Sequence, residues 1–382
     1  MKHNKRKSNL WQTIVIVAAV ILMGIICGRL IDVFIYTRVE NILPFDGFPE
    51  ILCYLICICI GGFIHIIIHE TGHLIFGLLS GYSFSSFRIF SFMWLKENGK
   101  LRLKRQSIAG TGGQCIMIPP DMVDGKFPVV LYNLGGILLN AVSSIVFLAL
   151  FFLCLDFPIL AAIMLWLFVL GVLMAVMNGV PTSTGSINND GYNAMALSRD
   201  PEAMEAFWIQ LRIVDKTTKG LRLKQMPAEW FKVPSDEGMK NSMTASRGVF
   251  ACNRLMDEGR YQEADSLMEH ILGIDSGIVG LHRSLLICDR ICLELMYKNR
   301  RDVVEKMQTE EQKNFMKAMK KFLPVLRTNY LIAMFMENDM TKADKIMTEF
   351  EKQAKLYPYE TDIASERELI RTACKIYGTK DI

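Results

Sequence analysis

Two histidines and a glutamate lie close together within an apolar stretch of this chain. Residues 69–73 read His-Glu-Thr-Gly-His, and the residues on either side are mostly aliphatic. Residues four apart share one face of a helix, so the imidazoles of His69 and His73 can bind one Zn²⁺. The Glu70 carboxylate can then act as general base toward a water on the metal. The pattern indicates metal-assisted hydrolysis, and its apolar flanks place that chemistry inside a bilayer.

A catalytic zinc usually takes three protein ligands, so the two histidines need a partner. His65 shares their helical face, but ligands at i, i+4 and i+8 would span about 12 Å of helix axis, too far for one ion. We interpret His65 as a supporting or packed histidine. Asp190 is the favoured third ligand, because Asn178 and Pro181 break the preceding helix and let the chain fold back. An ordinary Asn-Asp-Gly turn is the alternative.

Four apolar segments are each long enough to cross a bilayer as a helix. They cover about residues 11–36, 51–79, 127–153 and 158–180. The first follows a basic tail; it is too long for a signal peptide and lacks a small-residue cleavage site, so we expect an anchor. The sequence predicts an all-α polytopic membrane protein with a membrane-associated β-hairpin and a cytoplasmic helical domain.

Positive charges lie on alternate sides of these spans. Lysine and arginine are frequent in the N-terminal tail and in residues 80–126, but not in residues 37–50 or 154–157. The positive-inside rule therefore predicts that both termini are cytoplasmic. The His-Glu-Thr-Gly-His segment then lies near the cytoplasmic end of the second span. Compact spans and short loops favour a multi-pass protein of a bacterial plasma membrane.

Residues 84–105 predict a β-hairpin rather than a further span. Residues 87–94 and 100–104 resemble strands, and Asn98-Gly99 between them is a strong signal for a two-residue turn. We expect the glycine-rich residues 110–113 to be flexible. Two roles stay open for the hairpin. It could pair its edge with an unwound substrate segment at the membrane surface, or merely cover the helix ends.

Composition divides the chain near residue 200. Hydrophobic residues make up 51% of the 382, mean hydropathy is +0.25, and nearly all long apolar runs precede residue 180. We predict a tail, anchor and loop over 1–49, a zinc metalloprotease core over 50–199 and a helical domain over 200–382. The net charge of +4 is too small to indicate nucleic-acid binding. The ten cysteines are interpreted as free thiols.

The C-terminal half contains two segments that resemble tetratricopeptide units. Residues 254–268 combine a helix, a glycine turn, a tyrosine and a small alanine in the next helix. Residues 338–347, closing at Tyr357-Pro358, resemble a second unit. This pattern predicts a module that binds a cytoplasmic protein or gates the site, and a plain solvated helical bundle is the alternative.

The motifs together resemble the site-2 protease family (M50-type) of intramembrane zinc metalloproteases. The matching residues are His69-Glu70-Thr71-Gly72-His73, Asn178-x-x-Pro181 with Asp190-Gly191, and more weakly Gly135-Gly136 through Asn140. The resemblance covers about residues 50–195. It implies His69, His73 and Asp190 as ligands of one Zn²⁺ and Glu70 as catalytic base.

The resemblance implies hydrolysis of peptide bonds in membrane-anchored proteins or small peptide precursors, as in regulated intramembrane proteolysis. Asn140 and Asn178 are candidates for hydrogen bonds to the substrate backbone or oxyanion, and equally for bonds between helices. This chain departs from the usual family pattern in its long segment between Pro181 and Asp190 and in having Asn189 before the aspartate.

Two other functions stay open at this point. A membrane-anchored protease facing the cytosol would take a glutamate from Glu202 onward as third ligand. A non-catalytic helical-repeat adaptor or immunity protein would retain the protease fold without cleaving, although the intact ligands and Glu70 count against it. The expected partners are a membrane-spanning or membrane-anchored substrate and a cytoplasmic protein on residues 200–382, with no nucleic acid.

Overall fold

A computed structural model describes residues 48–97, 99–108, 111–182 and 188–377, with isolated positions between 18 and 33. The predicted tail and first span, residues 11–36, lie outside these continuous ranges. The predicted second, third and fourth spans lie within them.

Three described helices are long and apolar enough to cross a membrane. They are α1 (Phe48–Leu79, of which Leu55–Leu79 qualifies), α2 (Val130–Leu153) and α3 (Pro158–Gly179). Pro158 begins α3, where the missing N–H would have no partner within the helix anyway. Helices of sufficient length and apolarity thus lie where the sequence predicts the second, third and fourth spans, which suggests a membrane protein.

The three helices expose large apolar side chains and bury several polar ones. Large aliphatic side chains such as Val142, Ile145 and Leu153 are more than half exposed, as expected for a surface that contacts lipid. In contrast, His65 and Asn140 are completely buried between the helices. Polar side chains at membrane depth are costly unless they are paired, so this interior has a function or a dense hydrogen-bond network.

Four short strands follow α1 and form one sheet in the order β3-β2-β1-β4. They are β1 (Ser83–Ile89), β2 (Phe92–Glu97), β3 (Lys100–Arg105) and β4 (Gly113–Ile118). Glu97 pairs with Lys100, and Gly99 has a φ of +78°, so the predicted hairpin is confirmed. The hairpin is, however, only half of a larger sheet.

The predicted strand over residues 87–94 is wrong, because the chain turns at Phe90 and Ser91. Phe90 has a φ of +50°, and its N–H donates to Gly112 O at 2.8 Å. The buried Arg88 guanidinium donates to Phe90 O at 2.7 Å and to Thr111 Oγ1 at 2.6 Å. These bonds stabilise a turn that lacks Gly or Pro. The same bonds hold Thr111 and Gly112 in place. Strand β4 begins at the next residue, Gly113, within the stretch that the sequence predicts to be flexible.

The remainder of the described chain is helical. The helices are α4 (Asp190–Arg199), α5 (Pro201–Thr218), α6 (Ser242–Asp257), α7 (Tyr261–Gly273), α8 (Gly280–Tyr297), α9 (Arg301–Met307), α10 (Glu310–Ala318), α11 (Leu323–Leu331), α12 (Met340–Ala354) and α13 (Glu360–Ile376). Short 3₁₀ turns cover Leu223–Gln225, Ala228–Phe231 and Gly238–Lys240, and a π-helical turn covers Ile332–Glu337. Gly259, with a φ of +75°, makes the turn between α6 and α7, and Ala264 packs fully buried behind it. The tetratricopeptide assignment stays a prediction.

The described residues form two compact units. The membrane-helix unit comprises those within 1–83, 128–184 and 188–199. The C-terminal unit comprises those within 84–127 and 200–382. The sheet thus packs with the C-terminal helices: Trp208 Nε1 donates to Pro120 O, and Arg105 N donates to Leu356 O, each at 2.9 Å. The domain boundaries given above stay predictions. Eight cysteines are free thiols: Cys57, Cys59, Cys115, Cys154, Cys252, Cys288, Cys292 and Cys374.

Candidate metal centre

Three side chains from α1 and α4 meet inside the membrane-helix unit. Asp190 Oδ2 lies 2.9 Å from His69 Nε2 and 3.4 Å from His73 Nε2. The two Nε2 atoms are 3.2 Å apart. Both histidines are buried, and the Asp190 side chain is 21% exposed. This group could hold a metal ion.

The spacing of the three donor atoms fits a tetrahedral ion. Bonds of about 2.0–2.2 Å at tetrahedral angles place neighbouring donors about 3.3–3.6 Å apart. The observed separations of 2.9, 3.2 and 3.4 Å are close to that range. Two imidazole nitrogens and one carboxylate oxygen form the donor set of a catalytic zinc, with a fourth position left open. The residues present therefore fit such an ion.

A backbone carbonyl orients His73. Its Nδ1 lies 2.8 Å from Tyr132 O on α2, so Nδ1 carries the hydrogen and donates it. The lone pair is then on Nε2, which faces Asp190. A second hydrogen bond of this kind is the usual way in which proteins fix the tautomer of a metal-binding histidine. The Tyr132 ring is itself held by stacking on Tyr82 at 4.7 Å.

A buried chain of polar groups orients His69. The Asn140 amide lies between Nδ1 of His69 and Nδ1 of His65, each 3.2 Å from one amide atom. His65 Nε2 is 2.7 Å from Leu167 O and must donate to it, so neutral His65 has a bare Nδ1 that accepts. Asn140 satisfies both rings when its NH₂ faces His65 and its oxygen faces His69, an arrangement that half a turn of the amide provides. His69 then donates through Nδ1 and keeps its Nε2 lone pair for a metal.

Glycines on α1 and α2 make room for the histidines. A Cβ on Gly72 would overlap the Gly135 carbonyl, so the two helix backbones touch at this point. A Cβ on Gly136 would lie 2.5–2.6 Å from three atoms of the His69 ring. The glycine inside the His-Glu-Thr-Gly-His segment and the Gly135-Gly136 pair therefore serve one purpose, the close approach of α1 and α2 around the site.

Asn189 fixes the segment that delivers Asp190. Its Oδ1 accepts from the N–H groups of Thr182 and Tyr192, each at 3.0 Å. Its Nδ2 donates to Met177 O at 2.9 Å and to Val180 O at 2.7 Å. One side chain thus joins the end of α3 to the start of α4. Asp190 reaches the histidines even though the intervening segment is long.

The remaining candidate residues occupy different positions. Glu70 is buried in α1 next to His69. Asn178 Nδ2 donates to Met174 O of its own helix at 3.0 Å. Asn140 is completely buried and lies between His65 and His69. The general-base role of Glu70 and the substrate roles of Asn140 and Asn178 stay predictions.

The carboxylate of the group is held in its charged form. Burial raises the pKa of Asp190, but in the metal-free protein hydrogen bonds from protonated Nε2 atoms of His69 and His73, with their positive charge, outweigh this and hold the pKa well below its usual range. A bound metal ion would take the place of those Nε2 protons, and each ring would then offer its Nε2 lone pair. An ionised carboxylate beside two imidazole nitrogens is a ready ligand for a divalent cation.

The sequence does not reveal two contributors to the site, and it reveals a third only in part. Tyr132 acts through its main-chain oxygen, which carries no residue signal. The anchoring role of Asn189 was missed, although an asparagine before a helix start is a known cap signal. His65 was recognised only as a supporting histidine, and its link through Asn140 depends on contacts between helices.

A scan against models of known protein families, a search of curated proteins and a search of solved structures each find no match for this chain. Its function is therefore argued from the site itself.

Proposed function

We propose that this protein is an intramembrane zinc endopeptidase of the site-2 protease type. The observation that carries the proposal is the spacing of His69, His73 and Asp190 donor atoms, which suits one tetrahedral ion, within a bundle of membrane-type helices. Among the described residues, Asp190 joins the histidines, whereas no glutamate from Glu202 onward does so. This supports the site-2 type over a protease that faces the cytosol.

Zinc bound by these residues would lower the pKa of its water toward about 7 and polarise the scissile carbonyl. Glu70 is the proposed general base, since it is buried in the same helical turn as His69. The Tyr132 carbonyl and Asn140 keep both imidazoles in the tautomer that presents Nε2. Asn189 holds the third ligand in place.

The substrate class follows from the surroundings of the site. The histidines lie in a helix that is apolar enough to span a bilayer, so the proposed substrates are membrane-spanning or membrane-anchored proteins or small peptide precursors. Their carbonyls are engaged in i→i−4 hydrogen bonds and must be released before cleavage. We place the protein in a cell membrane with cytoplasmic termini, on the basis of loop charge.

Strand β3 is proposed to receive the released segment. It is the edge of the sheet, and in a two-residue hairpin closed by the Glu97–Lys100 pair the N–H groups of Leu101 and Leu103 point away from β2. Both side chains are also more than half exposed. An extended peptide can add to such an edge by main-chain hydrogen bonds. The C-terminal helices, with their tetratricopeptide-like α6–α7 pair, are proposed to bind a cytoplasmic protein partner.

The proposal is tested by metal content and by accumulated substrate. We expect purified wild-type protein and Glu70→Gln to carry one zinc per chain, and Asp190→Ala to lose it. Asp156→Asn removes an exposed carboxylate of the same unit and serves as the control. In cells, Glu70→Gln should accumulate an uncleaved membrane precursor that comparative proteomics detects.

Two outcomes would contradict the proposal. Full zinc retention by Asp190→Ala would exclude the assigned ligand set. Identical membrane proteomes for wild type and Glu70→Gln, with zinc present in both, would favour the non-catalytic adaptor or immunity protein.

A further inference from the structure

The C-terminal unit contains a cavity that the proposed protease chemistry does not use. Its volume is about 280 Å³, far larger than the roughly 30 Å³ that one water occupies in the liquid. It is bordered by helices α5, α6, α7, α8, α11 and α13. All of these helices lie in the second compact unit, so the cavity belongs to that unit alone.

Two arginines border the cavity, and each is shared between two carboxylates. Near the surface, Arg222 donates to Asp257 at 2.7 Å and to Glu368 at 2.6 Å. Deeper, Arg327 donates to Asp289 at 2.6 Å and to Glu366 at 2.9 Å, and its side chain is only 1% exposed. With all carboxylates ionised, each cluster has one more negative charge than positive charge. Burial raises the pKa of Glu366 to about 7, so the deeper cluster reaches this excess as pH rises above about 7.

A fifth carboxylate, Asp362, also lines the cavity. Among the described residues it has no ion-pair partner. Burial raises the pKa of Asp362 to about 7, and the charge of Asp257 adds to this. A cation placed in the cavity would stabilise its charged form. The wall thus carries an uncompensated negative potential.

Unpartnered polar atoms line the same cavity. The Nδ1 of His282 is buried without a hydrogen-bond partner, and burial lowers the pKa of His282 to about 4, so the ring is neutral and can accept. The Nε of Arg327 and the Oγ1 of Thr361 are also buried without partners. Arg327 is more than nine-tenths buried and lines the cavity, so an occupant that offers an acceptor would satisfy its Nε–H.

Apolar walls complete the site. Phe250, Leu286, Phe322 and Leu323 line it beside the charged groups. Aliphatic and aromatic walls suit the methylene stem of a long basic side chain, and carboxylates suit its charged end. The unpartnered Arg327 Nε–H suits a peptide carbonyl, which a polyamine lacks.

We infer that this cavity binds a basic side chain, arginine or lysine, of a peptide or protein segment, together with a backbone carbonyl next to it. The carboxylates Asp362, Asp289 and Glu366 receive the cation, and Arg327 receives the carbonyl. This site is independent of the metal centre and of the proposed cleavage.

The test uses isothermal titration calorimetry on the full-length protein in detergent at pH 8, where Asp362 is mostly ionised. The ligands are the blocked tripeptides Ala-Arg-Ala and Ala-Gln-Ala, and spermidine. We expect the arginine peptide to bind at least about tenfold more tightly than the glutamine peptide, because its charge pairs with partly buried carboxylates. Spermidine should bind more weakly than the arginine peptide.

Matched variants identify the residues involved. Asp362→Asn preserves size and should weaken the arginine peptide about tenfold or more. Glu360→Gln removes an exposed carboxylate of the same helix and should leave binding within about twofold. Thermal unfolding of each variant shows that the unit is folded during the titration.

Three results would overturn the inference. Equal binding of the arginine and glutamine peptides would show that the cavity does not select a cation. Unchanged binding by folded Asp362→Asn would remove the assigned carboxylate. Spermidine binding as tightly as the peptide would overturn the peptide assignment in favour of a free polyamine.

Discussion

The metal centre and the Arg327 cluster both bury charge, but they compensate it differently. Around Arg327, the protein supplies cation and anions together, with two carboxylates within 2.9 Å of one guanidinium. Around Asp190, the neighbours are two imidazoles whose outer nitrogens are engaged by Tyr132 O and Asn140. At the cavity the protein supplies one guanidinium and leaves part of the carboxylate charge for a ligand, whereas at the metal centre three donor atoms suit one added metal ion. The two places therefore suit different cations: a basic side chain beside Arg327 in the proposed cavity site, and a metal ion between His69, His73 and Asp190.

The largest expected effect is a loss of unfolding free energy when Arg327 is replaced. Arg327→Met leaves Asp289 and Glu366 buried without a counter-charge, which costs about 3–5 kcal/mol of unfolding free energy. Chemical denaturation of the C-terminal unit measures this loss. Adding Asp289→Asn and Glu366→Gln to the same protein should restore much of it. Lys306→Met breaks an exposed pair with Asp302 and should change stability by less than about 1 kcal/mol.

A substitution beside the metal centre should lower the zinc affinity and leave the fold intact. Asn140→Leu removes the acceptor that holds the His69 tautomer, and changes of this kind cost about 10–100-fold in metal affinity. Competition with a zinc chelator measures the change. Asn178→Leu, which loses only a bond within α3, should bind zinc as wild type does. Equal affinities for the two variants would contradict the proposed orienting role of Asn140.

A methyl group placed beside His69 tests the same site by sterics. Gly136→Ala introduces a Cβ about 2.5 Å from the imidazole, so the ring must move and the overpacking costs about 1–3 kcal/mol. We expect weaker zinc binding by the chelator assay. Gly62→Ala lies in α1 where a Cβ meets no atom within 4 Å, and it should leave zinc binding unchanged.

The C-terminal unit should become less stable as pH rises from about 4 to about 7. The Asp362 carboxyl has a folded-state pKa of about 7 against 3.8 for the unfolded chain, so the folded state holds its proton more tightly. That stabilisation is complete below about pH 4 and is lost as pH rises through about 7, a change on the order of 4 kcal/mol for a pKa difference of about three. Asp362→Asn should flatten this part of the stability profile, whereas Glu360→Gln should not.

The smallest structural effect is expected at the sheet edge. Leu101→Pro and Leu103→Pro remove N–H groups that point away from β2, so the sheet should persist while edge pairing is lost. Precursor cleavage in cells should fall for both variants. Unchanged cleavage would assign β3 to the simpler role of covering other elements. Arg105 is unsuitable for this test because its N–H already donates to Leu356 O.

Local signals in the sequence predicted part of this structure. The i, i+4 spacing of His69 and His73, the apolar spans and the Asn-Gly turn are each encoded within a few residues, and the structure agrees with them. The turn at Phe90 was missed because Arg88, Thr111 and Gly112 stabilise it from elsewhere in the chain. The approach of Asp190 was inferred from the helix break at Asn178 and Pro181, from the need for a third ligand and from the family resemblance. Its positioning by Asn189 depends on main-chain partners that no residue pattern records.

The contact between Gly72 and Gly135 has a mechanical consequence. Where two peptide backbones already touch, the helices cannot come closer, and any separation would pull His73 away from the Tyr132 carbonyl that orients it. The distance between α1 and α2 is therefore fixed at this contact. Under the proposed function, an opening that admits a substrate would come from the other side of the site, where Asp190 is tied to the end of α3 by the Asn189 side chain.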